Sequence, residues 1–376
     1  MLSRQSGYNQ PGRVEMSCPY HTLPPSSFWR PAVAECGLQD LDPHLSSSLR
    51  FSRNARVASA GSCFAQHIAR ALRERGYNYF VTETAPGYLK PEQEERFSYG
   101  VFSARYGNIY TTLQLLQLLR RAFAGFVPAD QFWTDGNGRV FDLLRPRISP
   151  RGFASLVEAH ADTAQHLKAV RKLIETTDIF IFTLGLTEGW LSKADATAYP
   201  TCPGCGSAGD YDPTKYEFHN LSVFETISYL AEAIDLMTAA NPDLQIILTV
   251  SPVPLVATME PRHVLQATTY SKSVLRVAAE EMTRRYANVH YFASYEVITA
   301  AKTAGAYFGK DARSITHQGV SHAMDLFFAH FTDAADQQPA SVVHAATQSS
   351  MLEVSDPHIV CDEDDFYHAL AASRPH

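Results

Sequence analysis

The chain has 376 residues, 45% of them apolar, 19% charged and 11% aromatic, and 32 basic against 39 acidic side chains leave a net charge of -7. That make-up belongs to an ordinary globular protein and excludes collagenous, low-complexity and disordered classes. The acidic balance, without a Lys/Arg cluster, excludes the counter-ion chemistry of nucleic-acid binding, and no apolar run approaches the length of a membrane span or a signal peptide. A cytoplasmic protein with a small-molecule or glycan partner is expected.

Residues 1–50, rich in Pro, Ser and Gly, read as a lead-in segment. Arg56 to Gly61 reads as a short buried strand, and Ser62 to Arg75 as a helix with Phe64, Ile68, Ala71 and Leu72 on one face, stopped by Gly76. The alternation continues with a helix at 111–124, a strand at 178–184, a helix at 222–240 and a strand at 244–250. A helix at 271–286, a strand at 288–292 and a helix at 317–331 complete it. Strands alternating with helices predict a three-layer α/β/α parallel sheet. The runs Ile179-Phe-Ile-Phe-Thr183 and Ile246-Ile-Leu-Thr-Val250 are nearly continuously apolar, as strands covered on both faces must be, and belong at the sheet centre. Residues 125–160 and 192–221 read as insertions over one end of the sheet. The polar stretch 336–376, with Asp362-Glu-Asp-Asp365, reads as a solvated tail after a domain at 51–335.

Ligands of an open parallel sheet bind outside the carboxyl ends of the strands. There the sequence places Gly61-Ser62-Cys63, Gly185-Leu-Thr187-Glu188, Ser251-Pro-Val-Pro254 and Ala293-Ser-Tyr-Glu296. Ser62 sits at a strand-to-helix turn, where backbone N–H groups can stabilise an oxyanion, and is read as a nucleophile or as a plain helix cap. Cys63 competes as a thiol at the same helix start. A serine needs a base. His317 is spaced to fall on the inward face of the last helix and is read as a base or as a structural histidine, His322 falls on another face beside Asp325, and Asp311 is read as orienting the imidazole or as a loop carboxylate.

These segments carry a family resemblance. Ala60-Gly-Ser-Cys-Phe-Ala65 resembles the signature of the GSCFA-domain family, which is similar to the SGNH/GDSL hydrolases. The segments at 101–110, 182–190, 249–253, 270–275 and 291–296 resemble the same family. The resemblance implies a flavodoxin-like, SGNH-hydrolase-like sheet and a cofactor-independent esterase or acyltransferase acting on a carbohydrate or small-molecule ester, most simply an O-acetyl ester. It implies Ser62 as nucleophile, an oxyanion donor at Gly107 or Asn108, and Gly185 at the start of a third block. In that block Thr187 or Glu188 stands where the superfamily has asparagine. Counting Asp-x-x-His from Asp311 puts Ser314 where the superfamily has histidine, so His317 or His322 must replace the base, or the protein is a degenerate scaffold that binds glycan or a partner protein.

Six cysteines are too few for a disulfide framework. Cys202-Pro-Gly-Cys205 reads as a glycine-rich loop; as half of a zinc site it would need Cys18 and His21, and no metal is expected. Lys272, Arg105, Arg145 and Arg147 are read either as anchors for a carboxylate or phosphate or as ordinary structural cations, and Asn220 as a cap or a substrate contact.

Overall fold

Five small, wholly buried residues, Val57 to Gly61, make a strand that neighbours can approach from both faces. The structure, a computed structural model, describes residues 18–45, 47–205 and 208–336. It divides into one unit up to Leu41 and a second from Asp42 onward. The described part of the first unit holds three single turns, Pro19–Thr22, Pro25–Ser27 and Arg30–Ala34. Each has proline at its first or second position, where the missing N–H costs nothing.

The second unit runs β1 (Val57–Gly61), α1 (Ala65–Glu74), α2 (Pro91–Arg96), α3 (Thr112–Phe123), β2 (Phe132–Thr134), β3 (Val140–Asp142) and α4 (Leu156–Thr176). It continues with β4 (Ile179–Leu184), β5 (Glu188–Ser192), β6 (Ala198–Tyr199), β7 (Tyr216–Asn220), α5 (Val223–Ala240), β8 (Gln245–Val250) and α6 (Val264–Arg285). β9 (Val289–Phe292), α7 (Ser294–Thr299), α8 (Ala304–Tyr307) and α9 (His317–Phe331) complete it. The central sheet is parallel, in the order β1-β4-β8-β9. Outside β1 the chain passes once more, where Tyr79 forms a single parallel bridge to Val57. Counted with that bridge the order is 2-1-3-4-5, the flavodoxin order, whose switch point lies between β1 and β4.

Register assigns the two faces of the sheet. Ala58, Ala60, Phe180, Phe182, Leu184, Ile246, Leu248 and Val250 join one apolar core with α3, α4, α5 and α6. The opposite face meets α1, α7 and α9, with the Phe292 and Phe327 rings in edge contact 5.2 Å apart. Hydroxyl capping boxes open α3, Thr111 with Gln114, and α5, Ser222 with Glu225.

The expected strands stand, while several helix limits differ. α1 begins at Ala65 rather than Ser62. α6 begins at Val264 rather than Ser271, because Leu265 and Tyr270 in its first turns are exposed and give no apolar stripe. α4 was not expected: Leu156 and Val157 at its start are exposed while Thr163 and His166 face inward, which inverts the usual pattern. The stretches read as insertions contain the β2–β3 hairpin and two strands, β6 and β7, that flank β5 in a three-stranded sheet. The acidic run 362–365 lies outside the described residues.

Candidate active site

Ser62 follows β1 at the switch point and is 3% exposed, so its hydroxyl is not displayed to solvent as a simple strand-to-helix turn would display it. Gly61 before it takes φ +135°, and a Cβ there would lie 2.4 Å from the Thr183 carbonyl oxygen, so only glycine lets β1 end this close to β4. The Ser62 amide donates to that same carbonyl oxygen at 3.2 Å. The Ser62 hydroxyl is buried with no hydrogen-bond partner. It is therefore not a helix cap, since α1 starts after Phe64 and no side chain caps it. Cys63 beside it is buried as well.

Gly185 follows β4 on the other side of the switch point. A Cβ on it would stand 3.0 Å from the Ser62 Cβ and 3.1 Å from the Tyr110 carbonyl oxygen, so glycine at 185 lets the ends of β1 and β4 pack this closely around the serine. The Gly185 amide donates to the Tyr110 carbonyl (3.2 Å) and the Gly185 carbonyl accepts from the buried Lys272 Nζ (2.7 Å). Lys272 thus braces the loop after β4. Gly107 sits at φ +70° with open space where a side chain would stand. Asn108 is buried and its Oδ1 accepts from Gln66 Nε2 at 3.4 Å, while the next amide, of Ile109, donates to the Gly61 carbonyl at 2.8 Å. The 106–110 segment is thereby tied to the Ser62 turn through both α1 and β1.

Thr187 does not aim a donor at the Ser62 turn: its amide donates to Ser271 Oγ (3.0 Å) and its hydroxyl to Asn220 Oδ1 (2.7 Å). Asn220, from β7, brings an asparagine to the block that lacks one in sequence, but its Nδ2 donates to Glu260 Oε1 (3.0 Å). Glu188 opens β5; burial raises its pKa, against the hydrogen bond it accepts from the Thr258 hydroxyl at 2.7 Å.

Asp311 and the histidines of α9 are arranged differently from the sequence expectation. Asp311 accepts from the Ser314 hydroxyl, the Ser314 amide (3.0 Å) and the Arg313 amide (3.1 Å), all within its own turn rather than from an imidazole. Burial raises the Asp311 pKa, but these hydrogen bonds outweigh it and hold the carboxyl below its ordinary range. His317 is exposed, not inward, with Nδ1 3.5 Å from Ser321 Oγ. It stands in the first turn of α9, at the rim of the arc that buries Gly319, His322, Ala323 and Phe327. The inward histidine is His322, 3% exposed, with Nδ1 2.8 Å from the Tyr307 hydroxyl. A further histidine, His67 on α1, had no sequence signal beyond its nearness to Ser62. Burial, then Arg70 and His317, push its pKa down to about 4, so it is neutral and close to His317. Arg75 bonds Asp325 farther along the same pair of helices, so α1 and α9 run side by side in one direction. Arg313 Nε donates to the Pro254 carbonyl (3.2 Å), which places the 311–314 turn over the end of β8.

A family model matches residues 56–327. The chain belongs to the GSCFA family. No curated protein matches it at a significant level. Among solved structures, a carbohydrate esterase family 3 protein from Talaromyces cellulolyticus aligns with 12% identity over 73% of this chain and 94% of that one, at a TM-score of 0.28.

Elsewhere in this GSCFA chain, polar clusters outside the Ser62 turn are mostly structural. Arg105 is buried against Glu83, Asp162 and the carbonyls of Phe97 and Ile148, so it is a brace and not an open anchor. Cys202 is buried, with its carbonyl accepting from the Cys205 amide at 3.0 Å, and burial pushes its thiol pKa up, which opposes metal-ready thiolate. Asp42, His44 and His330 come within metal-ligating distance of one another. Yet His44 Nε2 accepts from the Ala293 amide (3.1 Å), so Nδ1 carries the proton toward Asp42, and His330 Nε2 lies 2.6 Å from the other Asp42 oxygen. The trio fits a hydrogen-bonded clamp between residues 42–44 and α9. Among the described residues no helix is long and apolar enough to cross a membrane.

Proposed function

We propose that the protein is a serine-dependent, SGNH-like enzyme that processes acyl esters, with Ser62 as nucleophile. The supporting observation is the Ser62 hydroxyl: buried, unbonded, at the switch point, and packed against Gly185. A buried hydroxyl without a partner is destabilising by about 1–3 kcal/mol, and a catalytic role is one of the reasons a fold keeps such a group. In this reading Ser62 Oγ bonds to the ester carbonyl carbon as its proton passes to His317, which swings in from the start of α9. The alkoxide leaves with that proton, and water, or a sugar hydroxyl in acyl transfer, then releases the acyl group. The Ser62 and Gly185 amides are engaged by protein carbonyls, as are the first amides of α1, so oxyanion stabilisation falls to Gly107 and Asn108. A carbohydrate O-acetyl ester as substrate rests on the resemblance of the signature segments, and the cytoplasmic setting on the sparse cysteines.

A second reading has its own observation. Ser314 occupies the histidine position of the Asp-x-x-His pair and bonds Asp311 there, which favours a scaffold that binds glycan or a partner without chemistry. A fluorophosphonate probe with peptide mapping separates the two. Labelling of Ser62 that is lost in either His317→Ala or His322→Ala supports the enzyme and identifies its base. Folded protein that stays unlabelled leaves the scaffold. Acetate release with and without a sugar acceptor then divides hydrolysis from transfer.

A further inference from the structure

A cavity of about 40 Å³ lies beside α3 and the turn after β3, lined among others by Tyr106, Asn108, Gln117, Arg121, Arg145 and His166. A smaller one of about 20 Å³ shares Tyr106, Asn108 and Arg145 and continues along Arg147. The surrounding charges have an unequal balance of donors and acceptors. Arg145 gives Nε to Asp142 (2.9 Å) and Nη2 to Asp162 (2.8 Å), while its Nη1 is buried without a partner. Arg121 is 9% exposed, and its Nη2 is likewise buried without a partner. Burial, against the pull of Asp142, lowers the Arg121 pKa to about 10, which leaves it cationic at neutral pH.

The carboxylates nearby are already engaged. Glu83 takes Arg105 and His166, Asp162 takes Arg105 and Arg145, and Asp142 takes Arg145, Gln131 and the Leu144 amide. Two guanidiniums that line one cavity therefore each keep a buried N–H group without an acceptor to receive it. Burying a cation without a partner is among the costliest arrangements a fold can hold. A water needs roughly 10–15 Å³, so this cavity has room for about three non-hydrogen atoms, the size of a carboxylate group, and the planar guanidinium fork matches a carboxylate in two parallel bonds. His166 adds an acceptor: its Nδ1 faces Glu83 at 2.7 Å and its buried Nε2 is unbonded, suited to a hydroxyl next to the carboxylate.

We propose that this cavity is a binding site for a small carboxylate, held by Arg121 and Arg145, either free or as the acid group of a sugar acid. The proposal is independent of Ser62 reactivity, since it concerns binding alone. It is tested by thermal unfolding of the full chain titrated with sodium acetate, sodium glucuronate and sodium chloride at constant ionic strength. The expected result is a saturable rise in Tm of a few degrees with a carboxylate and none with chloride. Acetate acting alone identifies a free-carboxylate site, and glucuronate acting identifies the sugar acid. Arg121→Met should weaken the effect at least about tenfold while leaving ligand-free Tm unchanged or higher, because it removes an unpaired buried charge. Arg121→Lys, which keeps the charge and loses the fork, should weaken it less. No carboxylate-dependent shift, an equal shift with chloride, or a shift retained in Arg121→Met would overturn the proposal and leave water as the occupant.

Discussion

The two faces of the central sheet are built from different chemistry. The face under α3–α6 is uninterrupted hydrocarbon, with Phe180, Phe182, Leu184, Ile246, Leu248 and Val250 all buried. The face under α1, α7 and α9 carries hydroxyls in its C-terminal half: Ser59 meets the Tyr79 hydroxyl (3.0 Å), Thr249 meets Ser294 (2.6 Å), and Thr183 Oγ1 is buried with no partner. One face supplies cohesion, and the other tolerates unsatisfied polar groups as it approaches the Ser62 turn. Stability and candidate chemistry thus separate across a sheet only one residue thick.

Substitutions on the two faces should consequently diverge. The largest effect is expected at Phe182→Ala, which empties a fully buried site on the hydrocarbon face and should cost about 3–5 kcal/mol in denaturant unfolding. A loss below about 1 kcal/mol would mean that the cohesive face is misassigned. Next comes the Asp42 clamp against α9. Burial raises the Asp42 pKa, but hydrogen bonds from His44 and His330 hold it at about 2, below the ordinary 3.8. A depressed carboxylate contributes stability above its unfolded pKa and loses it as pH falls from about 4 toward 2. Allowing for solvent screening of a partly exposed group, the contribution is about 1 kcal/mol, and Asp42→Asn should flatten that part of the pH–stability curve. Thr183→Val removes a hydroxyl that bonds nothing and should leave stability unchanged or raise it by up to about 1 kcal/mol, the reverse of what a bonded threonine would give. Smallest of all, Ser62→Ala should not lower Tm, and in the enzyme reading it abolishes fluorophosphonate labelling. A substantial fall in Tm would reveal a structural bond for that hydroxyl.

The strands were legible because burial on both faces writes itself as apolar runs at 179–183 and 246–250. Ser62 and Gly185 were legible because the ends of such strands converge. The base was not. Whether a histidine on α9 points inward depends on which arc of that helix meets α1 and α8, and His322 rather than His317 falls within it. Nor could spacing show that Arg105, Arg145 and His166 converge with Glu83 and Asp162, because these pairings join separate segments of the chain. Thr187 shows the same limit: its donors look free in sequence and are taken by Ser271 and Asn220.

The pairing of α9 with α1 also bears on how the chain folds. Phe51 bridges to Thr332, Arg50 caps the carbonyls of Ala329 and Thr332, and Asp42 reaches His330. The sheet face that bears Ser62 is closed by a helix translated last among the elements of the domain, against segments translated first. Contacts of such sequence separation are slow to form, because loop closure precedes the contacts that stabilise it. On the ribosome the hydrocarbon face can be covered by α3–α6 well before α9 emerges, leaving the opposite face as the last surface to be sealed. Nascent chains halted before residue 317 should therefore be the ones that recruit chaperones, with the Ser62 turn assembled only as synthesis of the domain ends.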